Sequence, residues 1–135
     1  MDNILSALKW GALAVGSFLG TFVGGFDGLV YALLVFIALD YVTGVTAAFK
    51  LKTISSSVGF YGLIKKVLIM ALVGVGHVVD TKIFGTGGTF RTAVIFFYLA
   101  NEGVSMLENY ARLGLPFPEK FKGLLAQLKD GNGVK

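Results

Sequence analysis

The chain has 135 residues, of which 55% are hydrophobic and 15% charged, with no cysteine and a formal net charge of +4. A chain this short exposes too much surface to hide so many apolar side chains from water, so the composition excludes a soluble globular domain and predicts a protein embedded in lipid. The basic residues flank the apolar runs and therefore indicate an anionic membrane surface rather than nucleic acid, and the lack of cysteine excludes a disulfide framework.

Four apolar runs are long enough to cross a bilayer, which requires roughly 20 residues in a helix. They cover residues 4–25, 29–49, 59–79 and 90–110. Because the runs are long and show no polar alternation, they indicate helices rather than barrel strands. The short connectors between them favour antiparallel neighbours. We predict an all-α membrane protein, an antiparallel bundle of four transmembrane helices; a three-span bundle, with the first run lying along the interface, is the alternative.

The end of the chain has a different character from the apolar runs. Pro116 and Pro118 interrupt the helical pattern after the fourth run. Apolar residues then recur at helical spacing among lysines, which is typical of a short amphipathic helix that lies in a membrane interface. The residues of this predicted membrane-surface tail are Lys120, Phe121, Lys122, Leu124, Leu125, Leu128 and Lys129. The sequence therefore divides into a bundle, residues 1–115, and a basic cytoplasmic tail, residues 116–135; packing of the tail against the bundle is the other interpretation.

Three formal charges lie well inside the predicted spans: Asp40, Lys66 and Glu102. Each costs about 2.5–3.5 kcal/mol at the centre of a membrane helix, so each needs a partner or water. All three lie at a similar distance from the same side of the membrane, because neighbouring runs alternate in direction. We therefore expect them to pair at one depth of the bundle.

Polar and small side chains recur at helical spacing on the faces that carry these charges. On the fourth run they are Arg91, Tyr98, Glu102, Ser105 and Asn109. The predicted intramembrane charge network consists of Asp40, Lys66, Arg91, Asn101 and Glu102. Since ionisable residues in membranes face the bundle interior or water, this network is interpreted either as a structural element of the resting bundle or as the lining of a pore.

Small residues on the first two runs form a second pattern. Gly16, Gly20 and Gly24 are spaced four residues apart, and Gly44 follows Asp40 by one helical turn. Glycine at this spacing lets helix backbones approach closely in lipid, so these residues are predicted to mediate helix packing or oligomerisation. The partner is either another copy of the chain or a helix of the same chain.

An enzyme is not expected. The serines cluster in a loop with no histidine nearby, so no nucleophile, base and orienting group can be assembled. The Gly-rich stretch at residues 85–89 lacks the lysine and the strand–loop–helix context of a phosphate loop. No combination of histidine and carboxylates has the spacing of a metal site, and no cofactor is predicted.

Three segments taken together resemble the toxin-secretion/phage-lysis holin family. They read LDYVTGVTAAFK from Leu39, SSVGFYGLIKKVLIMALVGVGHVVD from Ser56, and RTAVIFFYLANEGVSMLENYARLGLPFPE from Arg91. The resemblance covers about residues 29–129. It implies a multi-pass protein of the bacterial cytoplasmic membrane that forms homo-oligomers and opens lesions. Through these lesions a muralytic enzyme (an endolysin) or a large toxin would leave the cell.

Two other functions are compatible with the residues alone. A small four-helix transporter acting as a dimer would need a titratable carboxylate in a substrate cavity, a role that Asp40 or Glu102 could fill. A scaffold that recruits a partner through its basic tail would conduct nothing. Saturable flux would indicate the transporter, and all-or-none permeabilisation the holin.

The lysines and arginines predict how the chain is oriented, because basic residues near span ends favour the cytoplasmic side. With four spans, both termini and the second loop share one side of the membrane. Of the 12 basic residues, only Lys82 and Arg91 fall on the other side. Both termini are therefore predicted to be cytoplasmic.

Cysteines introduced one at a time into this cysteine-free chain test the orientation. With Asn3, Ser56, Thr86 and Asn132 as the positions, only Thr86→Cys should react with a membrane-impermeant thiol reagent applied to intact cells. Labelling of Asn3→Cys as well would indicate three spans.

Overall fold

The computed structural model describes residues 1–116, 118–120, 123 and 127, and this part of the chain contains helices and no strand. The helices are α1 (Asp2–Phe22), α2 (Gly28–Lys50), α3 (Ser56–Val78) and α4 (Thr89–Arg112). A π-helical segment, Val79–Phe84, continues α3. The prediction of an all-α membrane protein is confirmed.

Three helical stretches are long and apolar enough to cross a membrane: Asp2–Phe22, Gly28–Lys50 and Ser56–Phe84. The fourth predicted span is present as α4, but its polar and charged residues leave it outside that set. With 24 residues, α4 is about 36 Å long, which is enough to cross a bilayer beside the others. Arg91, Glu102 and Asn109 of α4 are buried, whereas Asn101 and Arg112 are exposed.

Polar side chains determine where the helices begin. Asp27 accepts a hydrogen bond from the amide of Val30 at the start of α2, and Ser55 accepts one from Val58 at the start of α3. Such side-chain caps satisfy amides that have no partner inside a helix. Both caps lie in short connectors directly before an apolar run.

The third connector is shorter than expected, since helical structure continues to Phe84 instead of ending at residue 79. Asp80 organises the residues that remain between this helical segment and α4. One of its carboxylate oxygens accepts hydrogen bonds from the Thr86 hydroxyl and the Phe90 amide, and the other accepts one from the Arg91 amide at 2.8 Å. This buried carboxylate thus caps α4 from the end of α3, where Gly88 supplies no side chain, and holds the intervening residues in a compact loop.

The bundle is organised around α4. Arg91 near its start meets the turn before α2, and the carbonyl of Leu113 just beyond its end accepts a hydrogen bond from Lys50, so α2 and α4 run parallel. Helix α3 is antiparallel to both; it packs extensively on α4 but meets α2 over a short stretch only. The apolar core lies between these helices and contains Val23, Val30, Leu33, Ile69, Val73 and Ile95.

Most large apolar side chains point outward, including Phe18 and Phe49, which are 70% and 72% exposed. In water such a surface would drive aggregation, whereas in a bilayer the acyl chains cover it. Helix α1 is the extreme case, because only 6% of its most apolar stretch is buried.

The predicted tail lies almost entirely outside the described residues. Lys120 is described, and it is helical and exposed. Phe121, Lys122, Leu124, Leu125, Leu128 and Lys129 lie outside the described residues, so the division at residue 116 stays a prediction.

The turn between α1 and α2 contains Gly24 and Gly25, both with positive φ, at +87° and +103°. A side chain at Gly24 would also lie 2.7 Å from the Arg91 Nε and the His77 Nδ1, whereas one at Gly25 would meet nothing within 4 Å. We expect Gly25→Ala to lower the free energy of unfolding by about 1–2 kcal/mol through backbone strain alone. Gly24→Ala should cost at least about 1 kcal/mol more because it adds a steric clash. Thermal unfolding in one detergent checks this; equal losses would contradict the contact between this turn and α4.

Candidate functional site

The three charges predicted to pair meet at the centre of the bundle. Asp40 lies near the middle of α2, Lys66 on α3 and Glu102 on α4. The Lys66 ammonium donates to Asp40 Oδ2 and to Glu102 Oε2. Asp40 and Glu102 are only 5% and 2% exposed. We call these three residues the central triad.

Asn109 completes the coordination of Asp40. Its Nδ2 donates to Asp40 Oδ1 at 2.9 Å, and it lies 3.1 Å from both the Asp40 carbonyl oxygen and the Thr43 hydroxyl. Thr43 in turn donates to the carbonyl of Leu39 in its own helix. Among the described residues, every buried side-chain nitrogen and oxygen has a hydrogen-bond partner. The charges are therefore satisfied within one protomer.

Two cavities border the central triad. One, of about 410 Å³, lies between α2, α3 and α4 and is lined by Ser55, Gly62 and Arg112 among others. The other, of about 430 Å³, lies between α3 and α4 and is lined by Leu72 and Asn101 among others. Both cavities are also lined by Asp40, Lys66 and Ser105. Polar groups at the middle of the bundle thus border open space on two sides.

The triad brings two carboxyl groups against one ammonium group. In a low-dielectric interior this arrangement is stable only while the lysine stays between the carboxylates, because like charges repel strongly there. The triad can therefore hold α2, α3 and α4 together. If the helices separate, it presents charge to any water that enters.

Arg91 does not join the triad. Its guanidinium donates to Asp27 Oδ2 at 2.7 Å and to the Gly25 carbonyl at 3.0 Å, and its Nε donates to the Val23 carbonyl. Its backbone amide donates to Asp80. This cluster, which we call the arginine clasp, ties the α1–α2 turn to the start of α4. The hydrogen bonds from Arg91 hold the pKa of the Asp27 carboxyl below its usual value.

Asp27 and Asp80 are not among the predicted site residues, although both hold Arg91. Asp27 could have been recognised as a cap, because an aspartate directly before an apolar run is a common start of a helix. For Asp80 no sequence signal was available, since its partners depend on how α3 meets α4.

The predicted packing glycines have different surroundings. Gly20 is buried against the Phe26 ring of its own chain, Gly24 lies against Arg91 and His77, and Gly44 faces the Asn109 amide. Only Gly16 has open space where a side chain would be. Three of the four glycines therefore meet partners within the chain.

Asn101 also has a different environment from its neighbour Glu102. It lies on the exposed side of α4, whereas Asn109, two turns further along, lies inside. The structure thus brings Asp40, Lys66 and Glu102 together and leaves Arg91 and Asn101 outside that contact. Within the described residues, no group of three or more histidine, cysteine or acidic side chains could hold a metal ion.

Comparison with known proteins gives one family. A family model described as the bacteriophage holin family matches residues 17–130. This range contains the central triad and the arginine clasp. No solved structure matches the chain.

Curated relatives agree with the family match. A protein called a probable holin, from Bacillus phage phi105, is 34% identical over 76% of this chain and 76% of its own length. An uncharacterised 14.9 kDa protein of Clostridium perfringens is 42% identical over 96% of this chain and 98% of its own. An uncharacterised protein of Listeria monocytogenes is 47% identical over 87% of this chain and 84% of its own length.

Removal of the central cation should be the most damaging change in the site. Lys66→Met leaves two buried carboxylates facing each other, and breaking a buried ion pair costs about 3–5 kcal/mol. We expect strongly reduced accumulation of the folded chain and a large fall in the unfolding temperature in detergent. Lys65→Met is the matched control, because Lys65 is exposed and belongs to neither ion pair; it should change little.

A second substitution separates charge repulsion from lost packing. Adding Glu102→Gln to Lys66→Met removes one of the two facing charges, so the double variant should recover part of the lost stability. Additive losses in the double variant would show that the three groups do not act as one unit.

Proposed function

Since the chain belongs to the bacteriophage holin family, we propose that it assembles in the bacterial cytoplasmic membrane and opens lesions in it. Those lesions would release an endolysin that degrades the cell wall or, in another genetic setting, a large toxin. Family membership implies a membrane protein whose role is not catalytic. The probable holin of Bacillus phage phi105, similar over three quarters of the chain, supports this proposal.

The central triad is the structural observation that carries the mechanism. Two carboxylates and a lysine at the middle of the bundle do not help a chain to insert into lipid, because each charge is costly there. In the single protomer these charges are satisfied internally. The protein can therefore accumulate without exposing them to lipid and without harm to the cell.

Assembly of protomers would change the surroundings of these charges. As the surface density rises, contacts between protomers become favoured by mass action. Past a critical density, separation of α3 from α2 and α4 would turn the triad and its bordering cavities towards a shared aqueous space. Water solvates the charges there, which lowers their cost. Many protomers share each such space, so the transition should be abrupt.

The ends of the chain have proposed roles in the same mechanism. We place both termini in the cytoplasm, as the distribution of lysine and arginine predicts. Residues 116–135 would then lie on the inner membrane surface, where a basic amphipathic helix is attracted to anionic lipid. The first helix, which is largely uncovered by the rest of the chain, is available for contacts with neighbours.

A dimeric transporter is the second candidate, favoured by the two cavities beside the triad. In a transporter these cavities would hold a substrate and the carboxylates would bind it. Such a protein would give a substrate-dependent flux that saturates and would leave the membrane potential largely intact.

The holin proposal predicts a specific sequence of events in cells. The chain is induced in a bacterium that also makes a cytoplasmic muralytic enzyme lacking any secretion signal, and membrane potential and culture density are followed together. We expect normal growth, then a sudden loss of potential, and then lysis only where the enzyme is present. A strain without the enzyme is the control. Steady growth with intact potential at high membrane levels of the protein would contradict the proposal.

A further inference from the structure

Asn101 lies at the middle of the bundle but on its outer surface. It follows Thr89, the first residue of α4, by 12 positions and precedes Arg112, the last, by 11. Its neighbour Glu102 contacts Lys66, which also contacts Asp40 near the middle of α2. Since α2 is apolar and long enough to span the bilayer, Asn101 lies near the bilayer midplane.

The Asn101 amide is exposed and forms no hydrogen bond with the other residues that the structure describes. In water this would be of no consequence. In hydrocarbon, the two N–H groups and the carbonyl oxygen of an amide have no solvent partner, and asparagine side chains in membranes accordingly hydrogen-bond across helices. Asn109 shows the contrast, because its Nδ2 donates to Asp40 inside the protomer.

The surface around Asn101 allows a second helix to approach. Ala93 and Phe97 are exposed and precede Asn101 by eight and four residues, which is helical spacing; Ala100, next to Asn101, is exposed as well, and Phe97 is 59% exposed. Small residues at such positions let membrane helices pack closely, and an aromatic ring beside them adds contact area. Asn101 is the polar member of an otherwise apolar stripe.

We infer that this stripe, Ala93, Phe97, Ala100 and Asn101, is a contact surface for a second copy of the same chain, with Asn101 pairing to Asn101. Two copies inserted with the same orientation can be related only by an axis along the membrane normal, and a two-fold axis brings the same residues together at one depth. An amide is both donor and acceptor, so it complements its own copy, as a carboxylate or an ammonium group does not.

This inference rests on the proposed function, because it names the surface through which protomers would associate. The surface lies beside the cavity of about 430 Å³ between α3 and α4, which Asn101 lines together with Lys66 and Glu102. A contact at Asn101 is therefore adjacent to the central triad, and assembly there would act directly on the helix that carries Glu102.

Disulfide formation through a cysteine introduced at Ala100 tests the surface, since the chain has no cysteine of its own. Ala100→Cys in native membranes should give a disulfide-linked dimer on mild oxidation. Adding Asn101→Leu, which keeps the size but removes the amide, should lower the association constant about tenfold, as expected for loss of one hydrogen-bonded pair in lipid. Asn101→Gln should retain most of the dimer, because it keeps the amide.

Thr46→Leu is the matched control, as Thr46 is another exposed polar residue on a membrane helix but bonds to the carbonyl of Val42 in its own helix. It should leave the dimer unchanged. Equal crosslinking with and without Asn101→Leu, or a crosslink to a different protein in place of the dimer, would overturn the inference.

The same strains separate this inference from the proposed function. Loss of membrane potential without any disulfide-linked dimer of the Ala100→Cys variant would overturn the contact surface and leave the holin proposal standing. A dimer that depends on Asn101 in cells that never lose membrane potential would support the surface and contradict the holin proposal.

Discussion

The position of one lysine between two carboxylates, inside an otherwise apolar bundle, is the constraint on which the rest of the structure depends. Lys66 contacts Asp40 and Glu102 and so connects three helices at one level. In lipid none of these groups has an alternative partner, so the relative rotation and depth of α2, α3 and α4 are determined together. Apolar packing alone would be much less specific, because acyl chains solvate leucine and valine as well as a neighbouring helix does.

The burial of α4 follows from this constraint. Its composition would make it a poor span by itself, yet Arg91, Glu102 and Asn109 are buried against the other helices or the α1–α2 turn. The arginine clasp fixes one end of the bundle and Lys50 the other, through its hydrogen bond to the Leu113 carbonyl. The bundle thus buries these three side chains of α4, which has a less apolar composition than the three candidate membrane spans.

This arrangement suits the proposed function, which would require two states of the protein. A resting protomer must be harmless, which demands that every buried charge be satisfied within the chain, as the described residues show. The proposed permeabilising assembly would offer polar groups to water, which lowers the cost of the charges in the triad. The same residues can meet both requirements, because the difference between the states lies in which medium fills the space beside them.

The sequence by itself determined the class of protein, the helices and the depth of the charges. Run lengths and hydropathy suffice for the first two, and the alternating direction of short-looped spans placed Asp40, Lys66 and Glu102 at one level. Only the tertiary structure decided which side of α4 faces inward, so that Asn109 rather than Asn101 reaches Asp40. It also placed Arg91 with Asp27 and Asp80 instead of the triad. Spacing along a helix defines a face, but which face is buried depends on neighbouring helices, and that information is distributed over residues distant in the chain.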